Sequence, residues 1–155
     1  MSSQPEPTAK PRLYSGEFHL SLDEKKRLTI PARWRTGLLE ELFVIKSPKR
    51  GCLSAMPQEV LQAIGEKAAS LAHTVADHQA FKDQFFASAV ICPVDGQGRM
   101  VLADDLCRFA GIKVKSEVVL AGSADKFDIW NPETWQRQQQ ASVQNYEKIL
   151  GSLGL

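Results

Sequence analysis

The sequence predicts an α+β chain, mainly β, assembled from two diverged copies of one small β-rich module, and three observations carry that expectation. The chain matches itself at an offset of 72 residues; short apolar stretches alternate with polar residues at period two; and apolar residues at helical spacing follow each copy. With 43% of 155 residues hydrophobic, the chain is long and apolar enough for one proper core.

Taken in order, residues 1–12 are polar and carry Pro5, Pro7 and Pro11, so a disordered tail is expected there. The first module, 13–60, contains Phe18-His-Leu-Ser-Leu-Asp23-Glu-Lys-Lys-Arg27-Leu-Thr-Ile-Pro31. The second, 87–133, contains Val90-Ile-Cys-Pro-Val-Asp95-Gly-Gln-Gly-Arg99-Met-Val-Leu-Ala103. Each reads strand, Asp-x-x-x-Arg, strand. Phe18, Leu20 and Leu22 alternate with polar residues, as do Leu28 and Ile30, and Val90, Cys92, Val94, Met100 and Leu102 repeat the pattern. The glycines of Asp95-Gly-Gln-Gly98 allow positive φ, and the aspartate can bond its own backbone, so a tight hairpin is expected.

A helical segment should follow each hairpin, Pro31 to Glu41 and Ala103 to Ala110, the latter started by Asp104 and Asp105 and ended by Gly111. Apolar strands come next at 42–45 and 117–121, then at 51–57 and 126–132, with Leu53 matching Phe127 and Met56 matching Trp130. Connecting helices are expected over 61–86, from Val60, Leu61, Ile64, Ala68 and Leu71, then Phe81, Phe85 and Phe86. The C-terminal segment, 134–155, reads as a helix and tail, apolar at Trp135, Val143, Tyr146 and Ile149.

No run approaches the roughly 18 apolar residues of a membrane span, and the start, MSSQPEPTAKPR, lacks the apolar segment of a secretory signal. Cys52, Cys92 and Cys107 are odd in number and widely spaced, which fits neither a disulfide framework nor a zinc site; three buried thiols in a reducing cytoplasm are expected. The net charge of +1 hides an asymmetry. Residues 1–50 hold ten Lys or Arg against six acids, while the remainder is net −3. That pattern suggests one basic working face on a near-neutral body.

Enzymatic constellations are absent from the sequence. Gly96-x-Gly98 is followed by Val101 where a dinucleotide fingerprint needs glycine, and it lies between strands, not before a helix. His73 and His78 are five apart, off the four-residue spacing of a helical zinc pair. Neither a nucleophile elbow nor a phosphate loop occurs. No enzyme activity, metal or cofactor is expected. Arg27 and Arg99 follow their turns at once and can pair with Asp23 and Asp95. Around Arg27, however, Lys25, Lys26, Arg33 and Arg35 crowd the same hairpin. A two-stranded ribbon fits the major groove, where arginine bridges guanine O6 and N7 and lysine holds phosphate. DNA contact by this first-module cluster is expected, the acidic second module being better suited to packing.

The duplicated Asp-x-x-Gly-Arg hairpin, the continuation Leu28-x-Ile30-Pro31-x-x-x-Arg35 and the closing Phe127-x-Ile129-Trp130-x-x-x-x-Trp135 resemble the MraZ family of bacterial transcriptional regulators, with two SpoVT/AbrB-type modules. The resemblance spans about Leu13 to Trp135. It implies two swapped-hairpin modules in one pseudo-two-fold β-barrel-like core with flanking helices, and a ring-shaped homo-oligomer. It further implies binding to repeated double-stranded sites upstream of the protein's own division and cell-wall operon, at the nucleoid. The family's motif arginines fall on Arg27 and Arg99, with Arg33 and Arg35 in the basic continuation. Two positions depart from the pattern. Lys26 replaces the first motif's glycine, at a cost of about 1 kcal/mol if the turn stays left-handed, and Ser15 in Tyr14-Ser-Gly16 replaces a basic residue. The alternative is a protein-interaction scaffold of the same fold that does not read DNA specifically.

Overall fold

Strand pairing crosses between the two halves of the chain. The computed structural model describes residues 13–35 and 40–155. The first half holds β1 (Glu17–Ser21), β2 (Arg27–Thr29), a 3-10 turn (Ala32–Trp34), β3 (Glu41–Ser47) and β4 (Cys52–Met56). Two helices follow, α1 (Gln58–Leu71) and α2 (Val75–Ser88). The second half holds β5 (Val90–Pro93), β6 (Arg99–Val101), α3 (Asp104–Ala110), β7 (Glu117–Ser123) and β8 (Lys126–Trp130), and α4 (Pro132–Ser152) closes the chain. The expected tail, residues 1–12, lies outside the described residues.

A six-stranded sheet runs β1-β7-β8-β4-β3-β5, and β2 and β6 form a separate two-stranded ribbon. Exchanging each first-half strand for its second-half counterpart merely reverses the six-strand order, so a pseudo-two-fold axis passes between β4 and β8. On that axis Ser54 faces Asp128, and Leu28 faces Met100 in the ribbon. Each Asp-x-x-x-Arg segment is a tight turn as expected, but the strands flanking the first one do not form a hairpin ladder. β1 pairs with β7 and β2 with β6, because each strand buries its apolar face against the other half. Among the described residues the sheet stays open, with β1 and β5 at its edges, and no closed barrel forms.

Between sheet and ribbon lies the main core. Leu28, Ile30, Met100 and Leu102 contribute to it from the ribbon strands and the residues just after them, Leu53, Ala55, Phe127 and Ile129 from the central strands, and Leu106 from α3. The period-two alternation thus marks the buried face correctly. Trp34 meets Tyr14 and Phe18 edge-on, with ring centroids at 5.5 and 5.0 Å, and lies 5.0 Å from Phe127. This aromatic cluster fixes the 3-10 turn. The helix expected from Pro31 to Glu41 does not extend to Glu41, which pairs with Pro93 in the β3–β5 ladder; residues 36–39 lie outside the described residues.

On the opposite face of the central strands a polar group is buried. Asp128 is 2% exposed and accepts hydrogen bonds from Ser54 Oγ at 2.7 Å and Arg50 Nη1 at 2.9 Å. The Arg50 guanidinium also lies 5.1 Å from the Trp130 ring centroid. All three cysteines are free and buried, and burial pushes the thiols of Cys52 and Cys92 up to about 11. Thr74 caps α2 and Asn131 caps α4, each side chain accepting a backbone N–H of its helix. α2 is longer than the sequence suggested. Among the described residues no helix is long and apolar enough to cross a membrane.

Candidate nucleic-acid interface

Both turns are built on the same clamp. In the first, Asp23 Oδ1 accepts the amides of Lys25 (2.8 Å) and Arg27 (2.9 Å), and Oδ2 accepts Arg27 Nε at 2.7 Å. In the second, Asp95 Oδ1 accepts the amides of Gln97 and Arg99, both at 2.9 Å, and Oδ2 accepts Arg99 Nε at 2.9 Å. The Arg27 and Arg99 amides, aided by their side chains, hold the two carboxyls below the ordinary aspartate range against a smaller effect of desolvation. An ionised aspartate accepts all three bonds, so the clamp is complete at neutral pH. Only Nε of each arginine is used. The terminal nitrogens of both guanidinium groups have no recorded partner among the described residues, so structural pairing and outward presentation coexist in one side chain.

The ribbon then brings the two arginines together. Its register sets Thr29 opposite Arg99 and Arg27 opposite Val101, with Leu28 and Met100 turned inward. Arg27 and Arg99 therefore sit diagonally on the outer face, with Cα atoms about 7–8 Å apart by ladder geometry. Exposed Thr29 and Val101 complete that face. The sequence had offered a ribbon made by one module; the observed ribbon takes one strand from each half. Thr29 and Val101 were missed, although the period-two spacing from Arg27 and Arg99 places them on the same side.

The other basic residues fall into two groups. Lys25, at the tip of the first turn, and Arg33, in the 3-10 turn, are exposed, and neither side chain has a recorded acid partner. Lys26 and Arg35 are engaged within the molecule. Lys26 adopts φ +59° and pairs with Asp104 at the start of α3, which lowers the pKa of that carboxyl. Arg35 crosses to the second turn, where Nη1 donates to the Gln97 carbonyl at 2.9 Å and the side chain lies on Gly98. Ser15 is exposed and offers its carbonyl to the Trp34 indole N–H at 3.0 Å.

Comparison with known proteins gives a consistent picture. Residues 85–149 match the profile of a family described as "MraZ protein, putative antitoxin-like". Three relatives, each called "Transcriptional regulator MraZ", align over nearly their full length. One from Desulforamulus reducens is 35% identical over 91% of this chain and 97% of its own. Another from Pelotomaculum thermopropionicum is 36% identical over 88% and 92%, and one from Lactiplantibacillus plantarum is 34% identical over 91% and 98%.

Proposed function

This chain belongs to the MraZ family of transcriptional regulators, a class of regulator and not of enzyme, and from that premise we infer that it binds double-stranded DNA sequence-specifically through the outer face of the β2–β6 ribbon. The observation that carries the reading is the pair Arg27 and Arg99 on one face, each fixed through Nε and each with its terminal nitrogens open. A ribbon entering the major groove presents such a pair to base edges, where a fork of two N–H groups matches guanine O6 and N7. Lys25 and Arg33 are placed for phosphate. Lys26 and Arg35 support the two turns from within the molecule.

The target we propose is a set of repeated sites upstream of the protein's own division and cell-wall operon, met at the nucleoid by a ring of protomers. The modules at 13–60 and 87–133 act together in each protomer, since each ribbon needs both. Exposed Val143, Tyr146 and Ile149 form an apolar stripe along α4 that favours self-association. Several ribbons on repeated sites gain avidity that one lacks. The test is a titration against that upstream DNA with scrambled competitor at two salt concentrations. Competitor-resistant binding that is abolished in Arg27→Ala, with the assembly intact, is the expected result. Equal loss to scrambled DNA would instead favour a protein-interaction scaffold.

A further inference from the structure

The second half does more at the first turn than support it. The loop after α3 hydrogen-bonds to that turn: the Lys115 amide donates to the Leu22 carbonyl at 2.7 Å and the Leu22 amide to the Ser116 carbonyl at 3.1 Å. Lys115 Nζ reaches Glu24 at 2.9 Å. Between turn, loop and the end of α3 opens a cleft of about 460 Å³. Its charged lining is Lys26, Asp104, Arg108 and Lys113, and Ile112 and Val114 give it an apolar side.

Lys26 offsets Asp104. Arg108 and Lys113 are exposed, and among the described residues neither side chain makes a hydrogen bond or a close ion pair, although Arg108 helps Lys26 to lower the Asp104 pKa; the cleft lining thus sets three cations against one carboxylate next to the residue preceding Arg27. A cation in the last turn of α3 meets the carbonyl end of the helix dipole, which accounts for Arg108. It does not account for Lys113, which lies beyond the helix. An excess of two positive charges beside an apolar wall suits a phosphodiester, its charge on Arg108 and Lys113 and its deoxyribose against exposed Val114.

We propose that this cleft seats a backbone phosphate of the same duplex whose bases the β2–β6 ribbon reads, so that the acidic second half adds to the DNA-binding surface. This rests on the DNA reading above. The experiment compares the full-length wild-type protein with Arg108→Ala/Lys113→Ala on upstream and scrambled duplexes across a salt series. Lys67→Ala/Lys82→Ala, which removes two exposed cations from α1 and α2, is the control. The expected result is an equal loss of affinity for both duplexes and a salt slope shallower by about 0.9, the increment for one phosphate contact. The control should keep the wild-type slope. Unchanged affinity and slope in the cleft variant, with wild type binding normally, overturn the seat alone and leave the ribbon reading standing. So does the same shift in the control, which would trace the effect to net charge. A loss confined to the upstream sequence overturns the phosphate assignment, and wild type that binds neither duplex overturns both proposals.

Discussion

The two turns share a backbone but exchange their side chains. Asp23 and Asp95 make the same three hydrogen bonds, and the fourth residue is left-handed in both, Lys26 at φ +59° and Gly98 at φ +78°. At Gly98 a Cβ would meet the end of the Arg35 side chain, which would have to move aside. Across the pseudo-axis the counterpart of Arg35 is Cys107, small and buried, which lines the same cleft as Lys26. The halves have traded a large residue on a glycine for a lysine beside a small one. Arg35 thus reaches the second turn from the opposite half, whereas Lys26 belongs to the first turn itself. The difference teaches that the aspartate clamp, and not the glycine, dictates the turn.

The strongest test of how far the halves have diverged lies on the axis, where Ser54 and Asp128 occupy equivalent positions. Asp128→Ala leaves Arg50 and Ser54 without their acceptor and should cost about 3 kcal/mol, read as a lower midpoint in urea unfolding. Next, Gly98→Lys copies the first turn into the second. Left-handed strain plus displacement of the Arg35 side chain should cost about 1–2 kcal/mol, most of it from the backbone. Adding Arg35→Cys should restore the packing part and leave the backbone part; no recovery in the double variant would break the reciprocity argument. Lys26→Gly relieves the first turn's strain but loses an exposed ion pair, for a net gain of about 1 kcal/mol or less. Thermal melting would show it as a small rise in Tm.

The smallest effect concerns β1 and β7, where His19 Nε2 and Nδ1 lie 2.7 Å from Glu17 and 2.6 Å from Glu117. Only the imidazolium donates at both nitrogens. Glu17, then Glu117, raises the histidine pKa above 6.5. The stabilisation is therefore full below pH 6.5 and fades as pH rises through the raised folded value. His19→Gln should lose under about 1 kcal/mol at pH 6, since these groups are half exposed, and should match wild type at pH 9.

Much of this was legible in the sequence. Alternation identified the buried faces of β2 and β6, Asp104 and Gly111 bounded α3 as expected, and both Asp/Arg turns stand where the repeat put them. Alternation reports which face is buried but not which neighbour a strand takes, so the pairing of β2 with β6 was not readable from residues 18–31. For the same reason Arg27 and Arg99 looked like two separate sites until the ribbon joined them. Lys26 and Arg35 counted as free cations in the sequence because their partners, Asp104 and the Gln97 carbonyl, lie 78 and 62 residues away.

The crossed pairing also sets an order of events at the ribosome. Glu17 waits for Ala121, and Arg27 for Val101, so the strands of the first half leave the exit tunnel before their partners exist. At about 5–20 residues per second, roughly 5 to 20 s separate the emergence of β1 from that of β7. Through that interval the nascent chain holds unmatched apolar strands, while β3 and β4, neighbours in sequence and in the sheet, are able to pair at once. A chain truncated before residue 99 lacks the strand that pairs with β2, so premature termination leaves the two-stranded ribbon unmade and not merely shortened.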